Sequence, residues 1–190
     1  MTITIRPADV RDAAAIARVR IDSWRATYRG IIPDAYLAGM SEDESKAGWE
    51  RILGAGPNTA SVFVAESDGE VIGFAAGNML REPRYELNAE LTAIYLRPAF
   101  QQAGIGRRLV QEVAGAQRAH GATGLIVWVI ARNKIGRAFY ESLGGELLVE
   151  QPFQWDGIDL VEVAYGFRGI DALVAACAAL PAPPPGPALH

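Results

Sequence analysis

The sequence predicts an α+β fold in a single domain, and three observations carry the expectation. Seven short segments rich in β-branched or aromatic residues read as strands. They are separated or flanked by longer segments with apolar residues at helical spacing. The 190 residues, half of them hydrophobic and about a fifth charged, are enough to bury roughly 70% of the unfolded surface around one core.

The elements follow in order. "TITIR" alternates and reads as a strand ended by Pro7. From Asp9, a predicted N-cap, "VRDAAAIARVRIDSWRATY" carries Ile16, Val19 and Trp24 at helical spacing. "GIIPD" breaks it, and Pro33 suits the first turn of a short helix. Ser41 and Glu44, in capping-box spacing, open a helix that reaches Gly54. Asp68-Gly69 joins the two apolar runs of "SVFVAESDGEVIGFAAGNML" and predicts a hairpin. "ELTAIYL" is the next strand, stopped by Arg97-Pro98. "GIGRRLVQEVAGAQRAHG" is a helix with Ile105, Leu109, Val113 and Ala116 on one face, ending at His120. "LIVWVI" is apolar throughout, as suits a strand covered on both faces. "NKIGRAFYESLGG" is a helix with Asn133 at its start, glycine at its end and Ile135, Phe139 and Leu143 as its core stripe, which Tyr140 only borders. Strands at 146–155 and 159–167 complete the fold, and "RGIDALVAACAAL" forms a last helix. The proline-rich "PAPPPGPALH" reads as disordered.

Composition removes several classes of function. The net charge of −4 argues against a nucleic-acid partner. No apolar stretch approaches the roughly 20 residues of a bilayer span, and the first residues lack a secretory h-region, so a cytoplasmic location without membrane association is expected. Cys177 is the one cysteine, and His120 and His190 are the two histidines, so no metal site is expected. The charge is unevenly spread. Residues 97–143 carry seven Lys and Arg against Glu112 and Glu141, between two acidic blocks. A small polyanion docked on that middle block would explain the pattern.

The basic block opens on "RPAFQQAGIGRRLV", where glycines lead into a helix and so bring backbone N–H groups up to an anion. The loop is not a P-loop, because Arg107-Arg108 follow Gly106 with no Ser or Thr for magnesium. It is a poor dinucleotide fingerprint, because Leu109 stands at the third glycine position and the next strand ends in Arg132 rather than an acid.

The pattern Gln101-x-x-Gly104-x-Gly106 after a strand ending near Pro98 resembles the Q/R-x-x-G-x-G/A motif of the GNAT superfamily of N-acetyltransferases. "ARNKIGRAFYESLGG", with Asn133 seven residues before Tyr140, resembles the later motif of the same superfamily. Nearly two helical turns separate the two, so they face the same way, and Gly136 between them keeps that face shallow. The resemblance covers about residues 2–168. It implies a mixed, mostly antiparallel central sheet of about seven strands flanked by helices. It also implies one acetyl-CoA-dependent N-acetyltransferase domain at 1–168, with a C-terminal helix and tail at 169–190.

Several roles are implied by the resemblance. Gln101, Gln102, Ala103, Gly104, Ile105, Gly106 and Arg107 would hold the pyrophosphate of acetyl-CoA, the co-substrate. Ile94, Tyr95 and Leu96 would offer backbone groups to the pantetheine arm and the acetyl carbonyl. Asn133 would hydrogen-bond the pantetheine, and Tyr140 would donate a proton to the departing sulfur. The amine would attack the thioester directly, so Cys177 has no nucleophilic role. Glu90 is the expected general base, since in a regular strand Glu90, Thr92 and Ile94 share one face; Glu86 or a water chain is the fallback. Trp24 and Tyr28, four apart on one helix, with Tyr36, would roof the acceptor, a small-molecule amine, and Arg25 or Arg29 would suit an acceptor carboxylate. Trp128 and Trp155 read as packing. A peptide or protein N-terminal acetyltransferase and a non-catalytic acyl-CoA-binding module are the alternatives, and a homodimer through sheet edges is compatible with the family.

Overall fold

The computed structural model describes residues 2–56 and 60–179, so the proline-rich 181–190 and His190 lie outside the described residues. Among these, seven strands form one sheet in the order β1-β2-β3-β4-β5-β7-β6. The strands are β1 (Ile3–Pro7), β2 (Ser61–Ser67), β3 (Glu70–Arg84), β4 (Leu87–Leu96), β5 (Leu125–Ile130), β6 (Glu146–Trp155) and β7 (Ile158–Phe167). Every pairing is antiparallel except that of β4 with β5. The helices are α1 (Ala13–Thr27), α2 (Asp34–Gly39), α3 (Glu42–Gly54), α4 (Ile105–Ala119), α5 (Lys134–Ser142) and α6 (Ile170–Ala179).

Two clusters of buried side chains sandwich the sheet. On one face Ile16 and Val19 of α1 and Trp49 of α3 meet Val62, Val64, Phe74 and Ala76. On the other, Ile105, Leu109 and Val113 of α4 and Leu173 and Cys177 of α6 meet Leu91, Val127 and Tyr165. Burial in this second cluster pushes the Cys177 thiol up to about 11, which keeps it un-ionised near neutrality.

The chain's caps and turns mostly follow the sequence. Asp9 caps a 3₁₀ turn at Val10–Asp12 that precedes α1, and Asp12 returns the bond to the Asp9 N–H. The Ser41 hydroxyl accepts from the Glu44 N–H at the start of α3. Asp68 and Gly69 both have positive φ, the geometry that a two-residue hairpin turn requires. One turn differs from the sequence reading. β3 runs past Leu80 to Arg84 and β4 begins at Leu87, joined by Tyr85-Glu86 with both residues at positive φ and no glycine to announce it. Arg168 holds this turn, donating to the Tyr85 carbonyl at 3.3 Å and to the Glu86 carboxylate at 3.1 Å. Glu86 is therefore an exposed ion-pair partner on a hairpin tip, and it does not line the cavity between β4 and β5.

Candidate functional site: a cleft between parallel strands

β4 and β5 pair only at Ala89↔Leu125, Glu90↔Ile126 and Leu91↔Val127. Beyond those residues β4 continues to Leu96 and β5 to Ile130 without joining, so the sheet opens into a V. A cavity of about 490 Å³ fills the opening, within the range of small-molecule sites. Its walls are β4 from Leu91 to Leu96, residues of the glycine loop, Val127–Val129 of β5 and the inner side of α5. Ser23, Thr27 and Tyr28 of α1 close it from one side.

A β-bulge shapes the β4 wall. Leu91 lies opposite Gly77 and Ala93 opposite Ala76, so Thr92 is an extra residue, and its hydroxyl donates to the Ala76 carbonyl at 3.1 Å. The bulge shifts the alternation by one. Glu90 (opposite Asn78), Ala93 and Tyr95 share the α1 face, while Ile94 and Leu96 pack with the α4 side. The unbroken alternation assumed from sequence, with Glu90, Thr92 and Ile94 together, does not occur, because an inserted residue inverts the parity of everything after it.

The glycine loop sits at the wide end of the cleft. Gly104 is the N-cap of α4 at φ 75°, a left-handed conformation, and no side chain caps the helix. Its first-turn N–H groups therefore point into the loop with the positive end of the helix dipole. Gln101, Gln102, Gly104, Gly106 and Arg107 line the cavity, whereas Ala103 does not and Ile105 is a core residue beneath α4. The Arg107 Nε is buried without a hydrogen-bond partner. An uncapped helix start, a left-handed glycine and a guanidinium with an unpartnered donor fit a diphosphate. Gly106 packs beside Phe139 and Leu96, where a Cβ would meet only ordinary contacts at 3.4 and 3.5 Å. The Leu96 carbonyl accepts from the Ser23 hydroxyl at 2.9 Å and from Gln101 Nε2 at 3.3 Å, which ties α1 and the loop to the end of β4.

α5 forms the opposite wall. Asn133 caps it, its carboxamide oxygen accepting from the Gly136 N–H at 2.9 Å while Nδ2 donates to the Tyr28 hydroxyl at 3.4 Å. Gly136 makes room for that cap, since a Cβ there would come within 2.9 Å of Asn133 Nδ2. Tyr140 is 6% exposed and lines the cavity, while Ile135 is 70% exposed. The helix thus buries its tyrosine, whose ring lies 6.0 Å from that of Tyr165, while Ile135 also lines the cavity but stays mostly exposed. Burial, with Tyr95 and Tyr28 nearby, pushes the Tyr140 phenol far up, so it stays protonated at any working pH.

The α1 face of the sheet is roofed by aromatics. Trp24 stacks edge-on against Tyr28 at 5.0 Å and lies 5.8 Å from Trp155, whose indole N–H donates to the Tyr36 hydroxyl at 2.7 Å. Tyr28 lines the cavity; Trp24 lies behind it, packed with Leu37, Ile130 and Ile158. Arg25 donates to the carbonyls of Leu37, Ala38 and Met40, which commits its guanidinium to holding α2. Glu90 sits immediately below the cavity, which begins at Leu91. Burial raises its pKa, Arg84 opposes the rise, and Glu162 adds to it. Ser23 and Thr27 are lining residues that the sequence did not single out, and Trp128 and Phe139, read from sequence as packing, line the cavity as well. The first two carry no signal beyond being small and polar on a helix, and Trp128 looks like core in an all-apolar strand.

A splayed parallel pair facing an uncapped helix start defines a protein that takes an extended, phosphate-bearing donor between two strands. A family model described as the acetyltransferase (GNAT) family matches residues 20–145. The uncharacterized N-acetyltransferase YuaI of Bacillus subtilis is 36% identical over 90% of this chain and 96% of its own. The spermidine N(1)-acetyltransferase of Thermoplasma acidophilum is 28% identical over 76% of this chain and 88% of its own. Among solved structures, PaiA N-acetyltransferase from T. acidophilum in complex with coenzyme A superposes with a TM-score of 0.69 at 24% identity, over 88% of this chain and 99% of that one. The putative acetyltransferase YncA from Salmonella typhimurium, with acetyl-CoA, gives a TM-score of 0.64 at 24% identity, over 88% and 94%. The chain belongs to the acetyltransferase (GNAT) family, and it is an N-acetyltransferase with acetyl-CoA as co-substrate.

Proposed function

We propose that the enzyme transfers the acetyl group of acetyl-CoA directly to a primary amine of a small molecule. The observation that carries this reading is the roof. Tyr28 closes the α1 side of the cleft and is backed by the interlocked Trp24, Trp155 and Tyr36, where a peptide acceptor would need an open groove. The resemblance to a protein described as a spermidine acetyltransferase supports the same class of acceptor.

An alkylammonium, with a pKa near ~10, must lose a proton before it can attack. In this reading the Glu90 carboxylate takes that proton, directly or through one water, from the α1 side of β4. The amine lone pair then forms the C–N bond to the thioester carbon. The C–S bond breaks, the Tyr140 hydroxyl protonates the sulfur as it leaves, and the second proton of the acylated nitrogen passes back to the Tyr140 oxygen, restoring the phenol and leaving a neutral amide. A raised Glu90 pKa makes the carboxylate a better base, and a raised Tyr140 pKa means that the phenol holds its proton until the sulfur departs. Gln101, Gln102, Gly104, Gly106 and Arg107 would bind the diphosphate, and Asn133 would keep α5 in register for the pantetheine arm.

The test is thiol release from acetyl-CoA across polyamines, amino acids, aminoglycosides and short peptides. Release with small amines supports the reading. Release with peptides alone overturns it in favour of N-terminal acetylation, and tight acetyl-CoA binding with no turnover overturns it in favour of a binding module.

A further inference from the structure

The acceptor face of the sheet carries a second carboxylate that the reaction above does not use. β5 presents Ile126, Trp128 and Ile130 to that face. β4 places Glu90 beside Ile126, and β7 places Glu162 opposite Ile130, so the two glutamates and Trp128 lie on one surface. Two same-face steps along β5 and one strand on either side separate the glutamate backbones, with roughly 13 Å of that measured along the strand. Trp128, between them, lines the cavity. The Glu162 carboxylate is oriented: one oxygen accepts from Gln151 Nε2 at 2.8 Å, across the β6–β7 pair. No cation pairs with it among the described residues.

The surroundings favour a cation rather than an anion. Ile130, the cross-strand partner of Glu162, packs beneath the aromatic roof of Trp24 and Tyr28, as does Ile158 two same-face steps from Glu162 along β7. Aromatic faces and a carboxylate attract an ammonium together. Of the two guanidiniums suited to an acceptor carboxylate, Arg25 is committed to the α2 carbonyls, while Arg29 is exposed just past the end of α1; Arg132 donates to the Gly30 carbonyl at 2.9 Å. Arg84, the cation that acts on Glu90, lies on the exposed β3–β4 hairpin.

We propose that Glu162 binds a second ammonium group of the acceptor, so that the enzyme prefers alkyl diamines and polyamines to monoamines. The inference rests on the small-amine reading above. While one amine is acetylated at the mouth of the β4–β5 cleft, the other lies along Trp128 toward β7. Glu162 is a specificity determinant with no part in bond making.

The experiment compares kcat/KM for butylamine with that for linear diamines of four to eight carbons, in the wild type and in Glu162→Gln and Glu162→Asp. The affinity of each variant for acetyl-CoA is measured alongside, as a check that the fold is kept. The wild type is expected to favour its best diamine over butylamine by about tenfold or more, the scale of one charge-assisted contact. Glu162→Gln should bring that ratio close to one, mainly through the KM of the diamine. Glu162→Asp should keep the preference and move the optimum to a longer diamine, because its carboxylate is set back by one methylene. A ratio that Glu162→Gln leaves unchanged overturns the role of Glu162 while leaving the small-amine reading intact. Absence of turnover with every amine, by a wild type that acetylates peptides, overturns both.

Discussion

Burial raises the pKa of both Glu90 and Tyr140, and for the chemistry proposed here the two shifts act in opposite ways. A raised phenol is simply protonated throughout the working range. A raised carboxylate is less often ionised, so the form of Glu90 that accepts a proton is lost as pH falls, at a higher pH than the ~4.3 of an ordinary glutamate. The acid limb of kcat/KM should therefore lie above that value and vanish in Glu90→Gln, whose turnover should fall about 10²-fold. Arg84→Ala removes the cation that opposes the shift and should move the limb further up in the same pH–rate measurement. Tyr140→Phe deletes a hydroxyl that takes part in no hydrogen bond among the described residues. Its kcat should drop while the Kd for acetyl-CoA, measured by titration, changes by less than about twofold. At this scale the sequence was legible where chemistry imposes a pattern, as with Gln101, Gly104, Asn133 and Tyr140. It was illegible at Trp128 and Glu162, whose relation to the site depends on which strands become neighbours.

α5 shows how one element can meet structural and functional needs with the same atoms. The Asn133 carboxamide caps the helix and reaches Tyr28, and Gly136 exists in the space that the cap requires. Gly136→Ala should displace the cap, costing about 1 kcal/mol and lowering Tm by about 2–4 °C in a thermal melt. Acetyl-CoA affinity should weaken too, since the same side chain borders the cavity. β4 is the element that sequence periodicity misjudged. The pattern of "ELTAIYL" is satisfied by a regular strand, and nothing in it marks Thr92 as an insertion. The bulge appears only against β3, where Leu91 and Ala93 meet consecutive residues. Likewise the Tyr85-Glu86 turn lacks the Gly or Asn that would have signalled it, and depends on Arg168, 82 residues away along the chain from Glu86.

Across the whole molecule, the first strand is fastened to the rest by one charged knot. Arg6 donates to both oxygens of Asp12 at 2.8 Å and to Glu66 at 2.5 Å, joining β1, the turn before α1, and β2. The Arg6 guanidinium, more than offsetting the cost of burial, holds the Asp12 carboxyl below its usual range. The sign follows from a folded pKa below the unfolded one. The contribution is full above about pH 4 and is lost as pH falls through the folded value. Asp12→Asn should cost about 1–3 kcal/mol in urea denaturation at pH 7, and the difference from wild type should shrink at pH 3. The strands themselves were readable from composition, whereas their lateral order was not. That β7 enters between β5 and β6 is a matter of connection and packing that no local pattern encodes.

That order divides the sheet into two antiparallel panels, β1 to β4 and β5-β7-β6, stitched by the three residue pairs between β4 and β5. The panels behave as the jaws of a peg with a very short spring. A donor lying in the gap bridges them as a strut, doing mechanically what the missing strand hydrogen bonds do elsewhere. Hydrogen exchange should report this directly: acetyl-CoA should slow the amides of Thr92–Leu96 and Trp128–Ile130 far more than those of β2, which sits two strands from the seam and is already paired on both sides.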